Sequence, residues 1–222
     1  MTSLEPTTEL TVWGHAGLRL ERRGRRLAVD PGSFTDDRVL DGATAVLVTH
    51  EHADHVEPDA LAAVLAERPE LEAWAPAPVA QALRGADAPA GRVHTASPGD
   101  TIATAGFEVR VLGGRHAVIH PSLPPVTNVA YLVDGAVLHP GDSFTLPPEG
   151  TRVEVLALPV GGPWTKVAEA ADYAAAVAPV TAVPIHDAVL SDAGRAATDR
   201  LLDALTGDVA YRRLAPGEPL AV

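Results

Sequence analysis

The chain has no cysteine, only one lysine and no long apolar run. Without cysteine there can be no disulfide framework, thiolate metal ligand or cysteine nucleophile. No apolar run approaches the roughly 20 residues that a helix needs to cross a bilayer, so the sequence predicts no membrane span, and we expect no membrane partner. Aspartate and glutamate outnumber lysine and arginine by 29 to 17, which argues against binding along the phosphates of DNA or RNA.

The overall composition is that of a globular protein. The chain of 222 residues is 46% hydrophobic and 21% charged, which suits one sizeable core, so we expect a single domain over residues 1–222. Its first ten residues are polar and acidic and lack the basic-then-apolar layout of a secretory signal. The expected compartment is therefore the cytoplasm.

Hydrophobic spacing predicts a chain of many strands and few helices. Short apolar runs predict strands, including a fully buried one at residues 45–48, and Asp134-Gly135 predicts a hairpin turn. Helical spacing predicts helices over residues 59–66, 79–83, 166–177 and 192–205, the last capped by Asp192. Many strands come first and strands mixed with helices follow. That order favours two stacked sheets flanked by helices, in the α/β (α+β) class, over a doubly wound parallel sheet.

The strongest functional signal is the segment His50-Glu51-His52-Ala53-Asp54-His55, which directly follows the buried strand. Residues i and i+2 of an extended segment point the same way, so His50 and His52 can converge on one ion. Asp54 and His55, further along, can reach a second ion close by. Imidazole and carboxylate together suit Zn²⁺ and also Fe or Mn²⁺, so the segment predicts metal binding.

Three further candidate ligands lie just beyond the ends of predicted strands. They are His116, Asp142 and His186. Sites built on sheets are usually assembled from the loops at strand ends, so these side chains can complete a binuclear set.

These residues resemble a known family. His50, His52, Asp54 and His55, followed by His116, Asp142 and His186, match the H-x-H-x-D-H, then H, D, H pattern of the metallo-β-lactamase superfamily. Residues 13–17 (WGHAG) and 29–32 (VDPG) also resemble a bacterial branch of metal-dependent hydrolases, similar to the ascorbate-phosphate lactonase group. One departure is Ser143, where that branch usually has threonine after Gly-Asp.

The resemblance implies a fold and a ligand set. The fold is a four-layer αββα sandwich of two mixed β-sheets flanked by helices, with the site at one edge of the sheets. One ion is held by His50, His52 and His116, and the other by Asp54, His55 and His186. Asp142 bridges the two, and the ions are most simply Zn²⁺.

Charge counting supports hydrolysis. Two divalent ions outweigh the negative charges of Asp54 and Asp142, and a centre of this kind lowers the pKa of a bound water to near 7. We therefore expect a metal-bound hydroxide to attack an ester, lactone or phosphodiester in a small, possibly anionic substrate. Asp54 would orient or deprotonate the water, and His139, three residues before Asp142, could shuttle protons.

Other residues and other functions stay open at this point. His15 could hydrogen-bond a ligand carboxylate, Asp30 could hold the metal loop from beneath, His120 could border the substrate mouth and Arg115 could steer an anion. A redox di-iron protein on the same scaffold, or a metal-binding regulatory module without turnover, are the alternatives to a hydrolase.

Overall fold

A computed structural model describes residues 7–222 and contains fourteen strands and four α-helices in that range. Residues 1–6, which belong to the segment predicted to carry no secretory signal, lie outside the described residues. The strands are β1 (Glu9–Val12), β2 (Leu18–Arg22), β3 (Arg25–Val29), β4 (Ala45–Leu47), β5 (Glu72–Ala75), β6 (Val93–Thr95), β7 (Thr101–Thr104), β8 (Phe107–Gly113), β9 (Val129–Val133), β10 (Val137–His139), β11 (Val155–Pro159), β12 (Thr181–Ile185), β13 (Ala210–Tyr211) and β14 (Leu220–Ala221). The helices are α1 (Pro58–Glu67), α2 (Ala77–Gly85), α3 (Val167–Val177) and α4 (Asp192–Leu205).

The strands form two mixed sheets of seven strands each. The first has the order β14-β1-β2-β3-β4-β5-β6 and the second β13-β12-β11-β10-β9-β8-β7. In the first sheet β14 to β3 pair antiparallel, and β3 to β6 pair parallel. In the second, β10 to β13 pair parallel, and β7 to β10 pair antiparallel.

Strands that are buried on both faces create the layers. On β9, Val129 and Tyr131 join the core between the sheets, whereas Leu132 joins the core that also contains Ala170 of α3 and Leu202 of α4. A third core joins the outer face of the first sheet to α1 and α2. Because side chains alternate between faces along a strand, each sheet needs a helical layer to cover its outer side. The predicted αββα sandwich is confirmed.

Several local predictions need correction. The side chain of Ser191, and not that of Asp192, caps α4, because its Oγ accepts the backbone N–H of Gly194. Strands β5 and β14 were not predicted, since β5 contains a glutamate and β14 has two residues, too few for a pattern. The hairpin turn at Asp134-Gly135, between β9 and β10, is confirmed. Across residues 7–222, no helix is long and apolar enough to cross a membrane.

The two sheets are joined by hydrogen bonds at one end of β4. The hydroxyl of Tyr131, on β9, donates to the carbonyl of Val48 at 2.8 Å. The backbone N–H of Val129 donates to the carbonyl of Thr49 at 3.0 Å. The segment that begins at His50 is therefore held against the second sheet.

Candidate metal centre

The seven predicted ligands follow four strands that end at the same edge of the sandwich. His50 to His55 follow β4 of the first sheet, and His116, Asp142 and His186 follow β8, β10 and β12 of the second. The structure brings all seven together in two groups, within each of which the candidate ligand atoms lie within 4.8 Å of one another. The groups are His50, His52, His116 and Asp142, and His15, Asp54, His55 and His186.

The carboxylate of Asp142 lies between the two groups. Its Oδ2 is 3.2 Å from Nε2 of His116 and 3.1 Å from Nε2 of His186. Its Oδ1 is 3.1 Å from Nε2 of His55. One side chain therefore touches both groups, as the bridging role implied by the family pattern requires.

Unpartnered buried atoms test whether a metal ion fits here. Within residues 7–222, Nε2 of His55, Nε2 of His186 and Oδ1 of Asp142 are buried and have no hydrogen-bond partner, although they lie close together. Buried polar atoms are rarely left without a partner. Two ligand atoms that each lie about 2.1 Å from one tetrahedral zinc are about 3.4 Å apart. The distance between Oδ1 of Asp142 and Nε2 of His55, 3.1 Å, is close to this value. The donor set fits divalent metal ions.

The opposite ring nitrogens fix the orientation of the histidines. Four Nδ1 atoms lie near oxygen acceptors: His55 near Asp30 (2.8 Å), His186 near the carbonyl of Gly161 (2.7 Å), His50 near the hydroxyl of Thr49 (3.1 Å) and His116 near the carbonyl of Ala117. An Nδ1–H that donates in this way directs the Nε2 lone pair at the centre, the usual arrangement for a metal-binding imidazole.

His15 has the opposite arrangement. Its Nδ1 accepts the backbone N–H of Ala188 at 3.2 Å, so the ring proton is on Nε2, which lies 3.0 Å from Oδ2 of Asp54. His15 therefore donates a hydrogen bond to Asp54 and has no lone pair free for a metal. The prediction that His15 hydrogen-bonds a ligand carboxylate is confirmed.

Asp30 lies beneath the His50–His55 segment and is fully buried. It accepts hydrogen bonds from the backbone N–H and the hydroxyl of Thr49, both at 2.7 Å, and from His55. The predicted support from beneath is confirmed. Two residues further on, Gly32 allows a close approach, since a Cβ there would lie 2.1 Å from the carbonyl of Asp54.

Three site residues other than glycine have a left-handed backbone. The φ angles are 41° at His15, 48° at Asp30 and 60° at His186. Such conformations cost free energy for residues with a Cβ and tend to cluster at functional sites. Here they turn the three side chains inward immediately after strands end.

His139, for which we predict proton transfer, is buried and uses both ring nitrogens. Its Nε2 donates to the carbonyl of Ala16 at 2.9 Å, and its Nδ1 accepts the backbone N–H of Gly141 at 3.2 Å. These contacts hold the backbone at Ala16, next to His15, and at Gly141, next to Asp142. The catalytic role of His139 stays a prediction.

The histidines of the two groups differ in their pKa values. Burial disfavours the charged form of His55, but the negative charges of Asp30 and Asp142 outweigh it and raise its pKa to about 10. Burial is likewise outweighed at His186, whose pKa is raised to about 9 by Asp142 and Asp54. By contrast, burial and the neighbouring His55 hold the pKa of His50 well below its usual value.

One contact of the centre was not predicted from the sequence. The indole N–H of Trp164 donates to Oδ2 of Asp142 at 2.8 Å, and both residues are buried. Trp164 lies in a loop after β11, where an aromatic residue is as readily explained by packing, and no motif marks it.

A cavity of about 650 Å³ opens beside the first group. His52 and His116 line it together with the proline-rich loop of residues 115–126, which includes Arg115 and His120. The expectation that His120 borders the mouth of the site agrees with this geometry.

Comparisons with known proteins give the family. A family model described as a β-lactamase superfamily domain matches residues 9–186. Protein Rv0786c of Mycobacterium tuberculosis is 40% identical over 84% of this chain and 87% of its own length. A UPF0173 protein of Pyrococcus furiosus is 31% identical over 82% and 85%, and a UPF0173 metal-dependent hydrolase of Aeropyrum pernix is 28% identical over 80% and 81%.

Solved structures agree on the fold. The metallo-β-lactamase fold protein YhfI of Bacillus subtilis has a TM-score of 0.71 at 17% identity, covering 98% of this chain and 100% of that one. Igni18, a metallo hydrolase of Ignicoccus hospitalis, also has a TM-score of 0.71, at 21% identity over 97% and 98%. With the matched family model and the H-x-H-x-D-H segment in place, the chain belongs to the metallo-β-lactamase superfamily.

Proposed function

We propose that the protein is a metal-dependent hydrolase that binds two divalent ions, most simply Zn²⁺, and cleaves an ester, lactone or phosphodiester bond in a small molecule. The observation that carries this proposal is the carboxylate of Asp142, which touches both groups of candidate ligands. The A. pernix relative, described as a metal-dependent hydrolase, supports the activity. The net charge of −12 favours a small molecule over a nucleic acid.

The residues of each group would hold one ion. His50, His52 and His116 would offer three nitrogens to the first ion, and Asp54, His55 and His186 would hold the second. Asp142, which contacts both groups, would be shared. Bound divalent ions supply Lewis acidity, which lowers the pKa of water and stabilises negative charge that develops on the substrate. The chain's part is to fix these ligands in a buried setting, where few side-chain rearrangements accompany the reaction.

Asp54 is suited to orienting a water. Its side chain is 24% exposed, whereas that of Asp142 is 3% exposed, so Asp54 is the more open of the two carboxylates. The hydrogen bond from His15, with His186 and His55 close by, outweighs burial and holds the pKa of Asp54 far below its usual value. Asp54 would accept a hydrogen bond from the water and so orient it.

A panel assay tests the proposal. The protein is loaded with Zn²⁺, Mn²⁺ or Fe²⁺, its metal content is measured, and it is assayed on lactones, carboxylic esters, thioesters and phosphodiesters. We expect two ions per chain and turnover of at least one class, abolished by a chelator and restored by metal. Asp142→Asn should lower kcat by at least about a hundredfold, whereas His94→Gln, which alters a histidine outside both groups, should leave it unchanged.

Three outcomes would contradict the proposal. Two bound ions without turnover of any substrate class would argue against hydrolysis. Less than one ion per chain would favour a regulatory module. Iron in the purified protein, together with oxygen consumption, would favour the redox alternative.

A further inference from the structure

The cavity beside His52 and His116 is apolar along most of its wall. Val118, Ile119 and Leu123 line it and are 66%, 37% and 53% exposed. Its volume of about 650 Å³ is typical of small-molecule sites. Apolar side chains left open to water in a concave surface commonly mark a binding site.

The loop that forms this wall is held in place. The backbone N–H of His116 donates to the carbonyl of Val126 at 3.1 Å, which closes the loop at its base. The N–H of Ala117 donates to the carbonyl of Asp142 at 2.8 Å, and that of Leu123 to the carbonyl of His120 at 3.0 Å. Three prolines restrict the backbone further. The cavity is therefore preformed, which lowers the entropic cost of binding a ligand.

Arg115 adds a positive charge to the rim. Among residues 7–222 its side chain has neither an ion-pair nor a hydrogen-bond partner, and it is exposed at the cavity that it lines. The chain as a whole has a net charge of −12, so an unpaired cation beside the centre is notable. A carboxylate or phosphate is the complementary group.

The same cavity is lined by two candidate metal ligands. Whatever occupies it therefore lies against the first group, through His52 and His116. A ligand that is both apolar and anionic would satisfy the loop and Arg115 at once while remaining beside the reacting centre.

We propose that this cavity binds an anionic small molecule with an apolar chain, which packs on Val118, Ile119 and Leu123 while its anionic group faces Arg115. That this molecule is a substrate rests on the proposed function above. Its binding does not, and can be measured without turnover.

The first test uses fatty acids of different length as probes. Titration calorimetry on the zinc-loaded protein should show that decanoate binds at least tenfold more tightly than hexanoate, because each added methylene contributes about two- to fourfold. Leu123→Ser should weaken decanoate binding about fivefold. Leu205→Ser, which alters a leucine of matching exposure (55%) on α4, should not change it.

The second test concerns the charge. Arg115→Gln should weaken decanoate binding about fivefold and leave the binding of neutral decanol unchanged. Arg23→Gln, an exposed arginine in the turn between β2 and β3, is the control. Equal losses for decanoate and decanol would overturn the assignment of the anionic group to Arg115.

The outcomes separate this inference from the proposed function. Chain-length dependence without turnover of any substrate class in the panel would support the cavity assignment and contradict the hydrolase. Hydrolysis with equal binding of hexanoate and decanoate would support the hydrolase and contradict the cavity assignment. If Leu123→Ser leaves decanoate binding intact but converts a dimer to a monomer, or abolishes binding to anionic vesicles, the loop is an interface and the inference is wrong.

Discussion

The indole Nε1–H of Trp164 donates a 2.8 Å hydrogen bond to Oδ2 of Asp142, the carboxylate shared by both ligand groups. The backbone N–H of Asp142 donates in turn to the side chain of buried Asn128, at 2.9 Å. Two residues that bind no metal therefore set the orientation of the central ligand. Such supporting contacts commonly matter nearly as much as the ligands themselves.

Trp164→Phe should weaken zinc binding by about ten- to a hundredfold, because it removes a donor to the shared carboxylate and keeps most of the aromatic packing. Competition with a chromophoric chelator measures the change. Since phenylalanine still fills most of the site, we expect the free energy of unfolding of the metal-free protein to fall by only about 1 kcal/mol.

Trp74→Phe is the matched control. The indole nitrogen of Trp74 is buried and has no hydrogen-bond partner within residues 7–222, so its removal should leave zinc affinity unchanged. Equal zinc affinities for Trp164→Phe and Trp74→Phe would show that the bond to Asp142 does not position the ligand.

Gly32→Ala should disrupt the centre through sterics alone. An added Cβ would meet the backbone of Asp54 and His55 at 2.1 to 2.3 Å, where backbone atoms have no room to move. We expect a loss of about 3 kcal/mol in the free energy of unfolding, measured in urea, and less than one ion bound per group.

Gly85→Ala provides the contrast at the end of α2. No heavy atom lies within 4 Å of its added Cβ, and alanine is the better helix former. This variant should be as stable as the parent or more so by about 0.5 kcal/mol. A Gly32→Ala protein with parental stability and two bound ions would refute the steric argument.

Much of the fold was predictable because its strands are short and are either apolar on both faces or alternate between buried and exposed residues. The buried strand at β4 and the alternation along β8 mark layers that need helices outside them. The small edge strand β14 was not predictable, since two residues are too few to show a repeating pattern of burial. The cap of α4 was misassigned because Ser191 and Asp192 are both good capping residues and only the geometry separates them.

The ligand residues were predictable because their types and order are unusual in a chain with nine histidines. The sequence does not distinguish a metal ligand from a residue that donates a hydrogen bond to a metal ligand. His15 is identified as such a donor only because its Nδ1 accepts the backbone N–H of Ala188. Nor does it reveal Trp164, whose role depends on a loop that returns to Asp142 from β11. Such contacts depend on tertiary packing rather than on any local pattern.

His139→Gln distinguishes positioning from proton transfer. Both ring nitrogens are bound to backbone groups of Ala16 and Gly141, so we expect the variant to lose about 2 kcal/mol in unfolding free energy and some zinc affinity. The two limbs of the pH profile of kcat should not shift. The disappearance of one limb, with parental stability and zinc affinity, would instead support the predicted proton transfer.

The two ligand groups should load with zinc at different pH. The raised pKa values of His55, about 10, and His186, about 9, mean that both are protonated at pH 7 in the metal-free protein. Zinc must displace those protons, so affinity for the second group should rise with pH by up to about a hundredfold per unit until pH 9. Burial lowers the pKa of His50 and His52, so zinc should meet a smaller proton penalty at these two ligands.

We therefore expect about one zinc per chain at pH 6 and two at pH 8.5, measured by equilibrium dialysis at a fixed free zinc concentration. Calorimetry in buffers of different ionisation enthalpy should show close to two protons released by the second zinc and fewer by the first. His186→Gln removes one displaced proton and should lower the count for the second zinc to about one. Binding of both ions at pH 6 without proton release would contradict the asymmetry. It would mean that the carboxylates around His55 do not keep this histidine protonated, so that zinc has no proton to replace.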